Sequence, residues 1–290
     1  MRRLLVAVTA AGALAVSACG AEEASVVKTA FEQDIKSANV TVDLSMKAQG
    51  QETTVKLAGP FQSNGENKLP SVDWKLNIAA AGMPKPIDGQ IISTGDDAFV
   101  VYGGETYQVG KENIAKLKLS GAGGGMESAD LGKMLTRMQD WFPETSGTQD
   151  AELDGEAVTR ISGKLDLSEA LKDMKEMAKQ PGASGFEGLE DLSNRDLKEV
   201  EKVVSDPNFT IDVGKSDGKL RRIAANLTIN ADGQKGALAF SVKLADVDKP
   251  VKIQAPSGGR PIEELMQRFQ RDFGGGGAEP AAIPEDATVS

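Results

Sequence analysis

Apolar and polar residues alternate along most of the chain, which is the pattern that half-buried β-strands produce. The alternation is most regular in five apolar series: Val40, Val42, Leu44 and Met46; Val72, Trp74, Leu76 and Ile78; Phe209, Ile211 and Val213; Ile223, Ala225, Leu227 and Ile229; and Leu238, Phe240, Val242 and Leu244. Further strands are predicted at 55–57, 87–93, 97–102 and 105–109, and on both sides of Asp154-Gly155. Roughly ten antiparallel strands are therefore expected.

Glycine-containing positions separate these strands and are typical of tight hairpin turns. The predicted turns fall at Gly50, Gly103-Gly104, Asp154-Gly155, Asp217-Gly218 and Asp232-Gly233. Leu220 is out of phase with Ile223, so the sequence predicts a β-bulge near Arg221-Arg222.

Elsewhere the apolar period changes to about 3.6 residues, which predicts helices. The first helix is predicted over 22–38, with Val27, Phe31 and Ile35 along one side. The others are one capped by Ser128 and ending at Trp141, one over 167–177, one capped by Ser193 and ending at Val204, and one over 262–273. Gly121–Gly125 is expected to form a loop between two of these elements.

These elements predict an α+β fold. A strongly curved antiparallel sheet, or half-barrel, buries one apolar face, and the helices cover its concave side. We expect one domain over 19–273, with an insertion at about 175–195. Residues 274–290 form a tail rich in Gly, Pro and Ala that we expect to be disordered.

The N-terminus carries the pattern of a bacterial secretory signal over residues 1–18. Arg2 and Arg3 precede an apolar segment, 4–16, that is too short to span a membrane. The segment Val16-Ser17-Ala18-Cys19 resembles a lipobox, in which small residues precede a cysteine that receives a diacylglyceryl group. Because Cys19 is the one cysteine of the chain, we expect a lipid anchor on the extracytoplasmic face of the cell membrane. An ordinary signal peptide that contains a cysteine is the alternative.

Composition excludes several classes of function. The chain has no histidine and a single cysteine, so catalytic triads and zinc sites that need these residues are impossible. A formal net charge of −10 argues against nucleic-acid binding. We therefore predict no catalytic residue, no metal, no cofactor and no enzyme activity. A hydrolase that uses only carboxylates remains as a minor alternative.

The same composition is compatible with a binding cavity. Aromatic residues make up 4% of the chain, so aliphatic and Met side chains must form the interior. Such side chains suit a flexible acyl chain, because they give a smooth and deformable lining. They equally suit a core packed by the protein's own atoms, and composition alone does not choose between the two.

Several short motifs carry a family resemblance. They are the lipobox, the segment Lys36-Ser37-Ala38 before the strand Val40–Lys47, the hairpin from Asp97 to Tyr107, the segment Asp154-Gly155-Glu156-Ala157 leading to Ile161-Ser162-Gly163, the segment Asp217–Arg222, and the closing strand Phe240–Leu244 with its continuation to Pro256. Over residues 22–256 the chain resembles the LppX/LprG-type lipoproteins of actinobacteria, which are related in fold to LolA-like carriers. The insertion at 175–195 and the chain after Pro256 are longer than the family pattern.

The resemblance implies a half-barrel whose hydrophobic cavity binds an acylated lipid or a glycolipid and carries it across the cell envelope. A membrane transporter or another envelope protein is then the expected protein partner. We expect the cavity to be lined by Val42, Leu44, Trp74, Leu76, Ile78, Phe99, Val101, Ile211, Leu227, Phe240 and Val242. The alternative is a binding module of the same fold that senses the state of the envelope and regulates a partner protein.

Overall fold

The computed structural model describes residues 19–65, 68–119, 139–178, 194–231 and 233–273. They form one twelve-stranded sheet, and most of its strands are long. The strands are β1 Ser37–Ala48, β2 Gln51–Gln62, β3 Ser71–Ala80, β4 Ile87–Thr94, β5 Ala98–Tyr102, β6 Glu105–Gln108, β7 Glu144–Leu153, β8 Glu156–Lys164, β9 Val204–Gly214, β10 Leu220–Ala231, β11 Gln234–Ala245 and β12 Arg260–Pro261. The hairpins predicted between these strands are present at Gly50, Gly103-Gly104 and Asp154-Gly155.

The strand order is β12-β6-β5-β4-β3-β2-β1-β11-β10-β9-β8-β7, and the curved sheet does not close on itself. Two antiparallel meanders, β1–β6 and β7–β11, meet where β1 pairs with β11. β12 is the exception, since it pairs with β6 in parallel. The predicted α+β half-barrel is confirmed, with twelve strands rather than roughly ten. The two-residue β12 is too short to show an alternation in the sequence.

Five α-helices and one 3₁₀ turn are described. They are α1 Cys19–Glu32, α2 Lys111–Leu119, the 3₁₀ turn Gln139–Trp141, α3 Leu167–Ala178, α4 Asn194–Val203 and α5 Ile262–Phe273. The predicted helix over 262–273 is confirmed, and α3 agrees with the one predicted over 167–177. The Asp166 carboxylate caps α3, because its Oδ1 accepts a 3.0 Å hydrogen bond from the Glu169 amide. α2 was not predicted from the sequence.

The first helix is shorter than predicted. It ends at Glu32, and Ser37 and Ala38 already belong to β1. The Lys36 amide donates to Asp248 Oδ1 at 2.8 Å, and the Asp248 amide donates to the Ser37 carbonyl at 2.8 Å. These hydrogen bonds fix the chain to the turn after β11. The first strand therefore begins where the sequence still shows the helical spacing of apolar residues.

Some predicted segments lie outside the described residues. They are residues 1–18, the loop Gly121–Gly125, most of the helix from Ser128 to Trp141, the cap Ser193, most of the insertion 175–195, Asp232 of the predicted turn Asp232-Gly233, and the tail 274–290.

The register assigns each strand residue to one of two faces, because successive residues point to opposite sides of a sheet. One row of directly paired residues crosses ten strands: Ile161, Ile211, Ile223, Val242, Val42, Leu57, Leu76, Gly89, Tyr102 and Glu105. We call this side the apolar face. The next row, on the polar face, is Arg160, Asp212, Arg222, Lys243, Thr41, Ala58, Lys75, Gln90, Val101 and Thr106.

The main core lies where α1 covers the apolar face over β8–β10. Phe31 of α1 stacks on Phe142 with ring centroids 6.0 Å apart, and Phe142 meets Phe209 of β9 at 4.6 Å. Below them Ile161 and Ile211 are fully buried. This end of the sheet is therefore closed by side chains of the protein itself.

Several irregularities shape the sheet. The register of β9 and β10 shifts between Leu220 and Arg222, which confirms the bulge predicted there. At Gly59 the backbone lies so close to the Asp73 carbonyl of β3 that a β-carbon would collide with it, so a side chain cannot be accommodated.

Candidate functional site

Burial decreases along the apolar face from β10 to β3. Ile211 and Ile223 are no more than 1% exposed, whereas Val42 and Leu57 in the same row are only half-buried. The half-buried apolar side chains of four adjacent strands, β11 and β1–β3, form what we call the apolar strip: Val42, Leu44, Val55, Leu57, Leu76, Ile78, Phe240 and Val242. Met46, which extends it, is 46% exposed. The strip is a continuous hydrocarbon surface that the described part of the chain leaves partly uncovered.

The register places nine of the eleven predicted cavity residues on the apolar face. Six of them belong to the strip: Val42, Leu44, Leu76, Ile78, Phe240 and Val242. Trp74 lies one row away and pairs with Ile91. Ile211 and Leu227 share the face but are buried, and Ile211 belongs to the core beneath α1.

Phe99 and Val101 do not share the apolar face with the other nine residues. Phe99 pairs with Ile92, and Val101 pairs with Gln90 in the row of Arg160 and Asp212, so both lie on the polar face. The sequence Ala98-Phe99-Val100-Val101-Tyr102 is apolar at every position, so alternation could not reveal which residues face inward.

Four further residues of the apolar face were not among the predicted cavity residues. Val55 and Leu57 of β2 belong to the strip, and Val100 and Tyr102 of β5 lie on the apolar face. For β2 the alternation Val55-Lys56-Leu57 was a sufficient signal. For β5 the pairing partners in β4 were needed.

Trp74 has an unusual environment. Its indole Nε1 is buried and makes no hydrogen bond to any described residue, although the side chain as a whole is half-buried. A buried indole N–H normally finds an acceptor, since leaving it unpaired costs free energy. Trp74 therefore offers one free donor on the apolar face.

α5 covers the far end of the apolar face. The Phe269 ring packs on Tyr102 with centroids 4.9 Å apart, and the Arg268 guanidinium lies 5.2 Å from the Tyr102 ring centroid. Met266 and Phe269 are 44% and 39% exposed, so the helix is not fully packed. The strip thus runs between the core beneath α1 and the aromatic contact beneath α5.

A polar cleft of about 380 Å³ adjoins this contact, and Glu105 lies at its centre. Both Glu105 carboxylate oxygens accept from Arg260 Nη1, at 3.1 and 3.0 Å. Oε2 also accepts from the Tyr107 hydroxyl at 2.8 Å and from Arg268 Nη1 at 3.3 Å. The Tyr107 hydrogen bond, together with the Arg260 and Arg268 charges, holds the pKa of Glu105 below its usual value. We call this site the arginine cleft; Arg271 also lines it.

The polar face carries a second charged cluster. The Asp212 side chain is 0% exposed, and its Oδ1 lies 2.7 Å from Arg160 Nε. Its Oδ2 lies 2.8 Å from Arg222 Nε, which makes an ion pair without hydrogen-bond geometry. Hydrogen bonding to Asp212 raises the pKa of Arg160. A separate cleft of about 440 Å³ on the polar face is lined in part by Lys56 and Lys75.

Within the described ranges, no helix has the length and hydropathy needed to cross a bilayer. The described residues also contain no group of three or more Asp, Glu, Cys or His side chains placed to hold a metal ion.

No protein-family model and no curated protein matches the chain. Among solved structures it is similar to LprF from Mycobacterium bovis, with 13% identity and a TM-score of 0.43 over 83% of this chain and 100% of that one. It is also similar to a LolA superfamily protein from Nitrosomonas europaea, with 10% identity and a TM-score of 0.21 over 80% and 96% of the two chains. A third is MucB in complex with MucA(peri), with 8% identity and a TM-score of 0.26 over 83% and 61%.

The first two of these structures agree with the resemblance drawn from the sequence.

Proposed function

We propose that this chain is a lipoprotein, anchored through Cys19 to the extracytoplasmic face of the cell membrane, that binds an acylated lipid on its apolar strip and carries it through the envelope. The observation that supports the proposal is the decrease in burial along one register row. The residues beneath α1 are sealed, whereas the aliphatic side chains of β11 and β1–β3 are only half-buried. The lipobox ending at Cys19 supports the anchor.

The dimensions of the strip fit an acyl chain. Neighbouring strands lie about 4.8 Å apart, so the row from Val242 of β11 to Leu76 of β3 spans about 14 Å. The acyl chains of one bilayer leaflet occupy about 15 Å, half of the hydrocarbon core. Each methylene that leaves water for such a surface contributes about 0.8 kcal/mol. Burial alone can therefore hold a lipid there, without a catalytic group.

The two tryptophans of the chain allow a direct test. Trp74 lies on the apolar face, whereas Trp141 packs against the closed core and donates its N–H to Asp173 at 2.8 Å. We expect a dibrominated stearic acid to quench Trp74 in a Trp141→Phe variant of the mature chain carrying Cys19→Ser. The matched Trp74→Phe variant, which retains Trp141, should keep its fluorescence. Equal quenching of both variants, or of neither, would contradict binding on the strip.

Adjacent residues of β2 give a second test, because Leu57 lies on the strip and Lys56 lies on the polar face. Leu57→Gln should weaken the binding of a fluorescent 16-carbon fatty acid by about ten- to a hundredfold, since burial of a Leu side chain contributes about 1.5–3 kcal/mol. Lys56→Gln should leave the affinity unchanged. Fluorescence titration of the two variants measures both constants.

The competing hypothesis is a sensor module that uses the same face to regulate a partner protein. It predicts that neither fatty acid binds the isolated chain, and that Leu57→Gln instead weakens capture of an envelope protein. The quenching and titration experiments therefore distinguish the two functions.

A further inference from the structure

The row that defines the strip continues past it to the arginine cleft. From Leu76 of β3 it passes Gly89 of β4 and reaches Tyr102 of β5 and Glu105 of β6. Gly89 has no side chain. A β-carbon added there would lie 3.5 Å from its nearest described neighbour, the Val101 carbonyl oxygen, which is an ordinary van der Waals distance. The apolar face therefore has a shallow notch at Gly89, which leads from the strip towards Tyr102 and the cleft.

Positive charge is in excess at the end of this path. Three guanidinium groups, those of Arg260, Arg268 and Arg271, line the arginine cleft together with two carboxylates, Glu105 and Glu264. Arg271 is exposed and has no ion pair or hydrogen bond to another described side chain. This local excess stands out in a chain whose formal net charge is −10. It therefore marks the cleft as a site for a negatively charged group.

Arg268 is held in place before any ligand arrives. Its guanidinium lies over the Tyr102 ring and donates to Glu105 and to the Tyr107 hydroxyl, the latter at 3.2 Å. It also lies against the α-carbon of Gly103, where a side chain would collide with it. A guanidinium fixed in this way loses little conformational entropy when it binds an anion, and its planar fork suits phosphate and carboxylate groups.

We infer that the arginine cleft binds the anionic headgroup, a phosphate or a carboxylate, of the lipid whose acyl chain lies on the apolar strip. This inference rests on the function proposed above and adds the chemical class of the headgroup. The acyl chain crosses the notch at Gly89, Tyr102 and Phe269 cover the junction, and Arg268 and Arg271 meet the charge. A neutral lipid with the same acyl chains cannot make the ionic contact with Arg268 and Arg271.

The test compares phosphatidylglycerol with diacylglycerol of identical acyl chains, titrated into the delipidated mature chain carrying Cys19→Ser. Phosphatidylglycerol should bind about ten- to a hundredfold more tightly, the value of one or two charge-assisted hydrogen bonds. Arg271→Gln should remove at least half of that advantage in free energy. Lys75→Gln, which removes one positive charge from the polar face, should leave it unchanged.

Three outcomes separate the inference from the proposed function. Equal affinity for the two lipids overturns the headgroup site but leaves acyl-chain binding intact. Binding of neither lipid overturns both. Inorganic phosphate that binds as tightly as phosphatidylglycerol assigns the cleft to a free anion, and thereby overturns the link to the strip.

A second variant tests the path between the two regions. Gly89 is not in the left-handed region of φ, and valine suits a strand, so Gly89→Val should fold normally. Its side chain fills the notch between Leu76 and Tyr102. The variant should still bind the fluorescent 16-carbon fatty acid, but its affinity for phosphatidylglycerol should fall to that for diacylglycerol. An unchanged preference would contradict the continuous path.

Discussion

Replacing Asp212 by alanine is expected to lower the free energy of unfolding by about 3–5 kcal/mol, because it leaves two guanidinium groups without their shared carboxylate. The Asp212 side chain is 0% exposed, and Arg160 and Arg222 are 24% and 27% exposed, so neither arginine is fully hydrated. The three side chains belong to neighbouring strands, β8, β9 and β10, in one register row. Urea denaturation followed by tryptophan fluorescence measures the effect as a lower midpoint at constant m-value.

The matched control is the next ion pair along the same face. Lys243 Nζ lies 2.8 Å from Asp154 Oδ2, and the two side chains are 34% and 61% exposed. Asp154→Asn should therefore change stability by no more than about 1 kcal/mol, because solvent screens an exposed pair. If Asp212→Ala costs no more than Asp154→Asn, the buried cluster does not stabilise the junction of these strands.

The phase of a strand could be predicted from the sequence wherever one face is polar. In β1 the residues Thr41, Asp43 and Ser45 alternate with Val42 and Leu44, so the inward face was evident before the fold was known. Because β1 is the central strand, at which the two meanders meet, its phase also fixes those of β2 and β11 through the register.

The phase of β5 could not be predicted in this way. All five residues from Ala98 to Tyr102 are apolar or aromatic, so a shift of one residue changes nothing in the pattern. Its phase comes from the pairing of Ile91 with Val100 and of Ile92 with Phe99. That pairing depends on the register of the β4–β5 hairpin, and residue type did not reveal it.

The exposure of the apolar face at the candidate site depends on which other elements pack over it. Local sequence does not determine this packing. Ile211 and Val42 occupy equivalent positions in one row and have equally apolar neighbours, yet only Ile211 is sealed. The difference arises because α1 packs over Ile211 of β9, whereas Val42 of β1 lies outside the core beneath α1. Likewise the arginine cleft joins Glu105 to Arg268, which are separated by 163 positions in the chain. Contacts at such separations follow from the whole fold.

Phe209 and Phe240 offer the decisive pair of substitutions, since both belong to one row on the apolar face through their shared neighbour Ala225. Phe209 is 2% exposed and packs on Phe142, so Phe209→Ala should cost about 3–5 kcal/mol of stability, from lost burial and from the cavity that remains. Phe240 is half-buried in the strip, and Phe240→Ala should cost about half as much or less. Chemical denaturation of the delipidated chains measures both values.

The same two variants should rank in the opposite order when their loss of affinity for a lipid is measured. Phe240→Ala removes part of the surface that an acyl chain covers, so it should weaken binding of the fluorescent 16-carbon fatty acid about tenfold, whereas Phe209→Ala should leave the folded fraction with normal affinity. If the strip were instead filled by the protein's own atoms, Phe209→Ala and Phe240→Ala would lower the stability of the lipid-free chain equally. Neither substitution would then change the affinity for the fatty acid. Stability and affinity, measured together on this pair, therefore distinguish a surface that holds a ligand from an ordinary hydrophobic core.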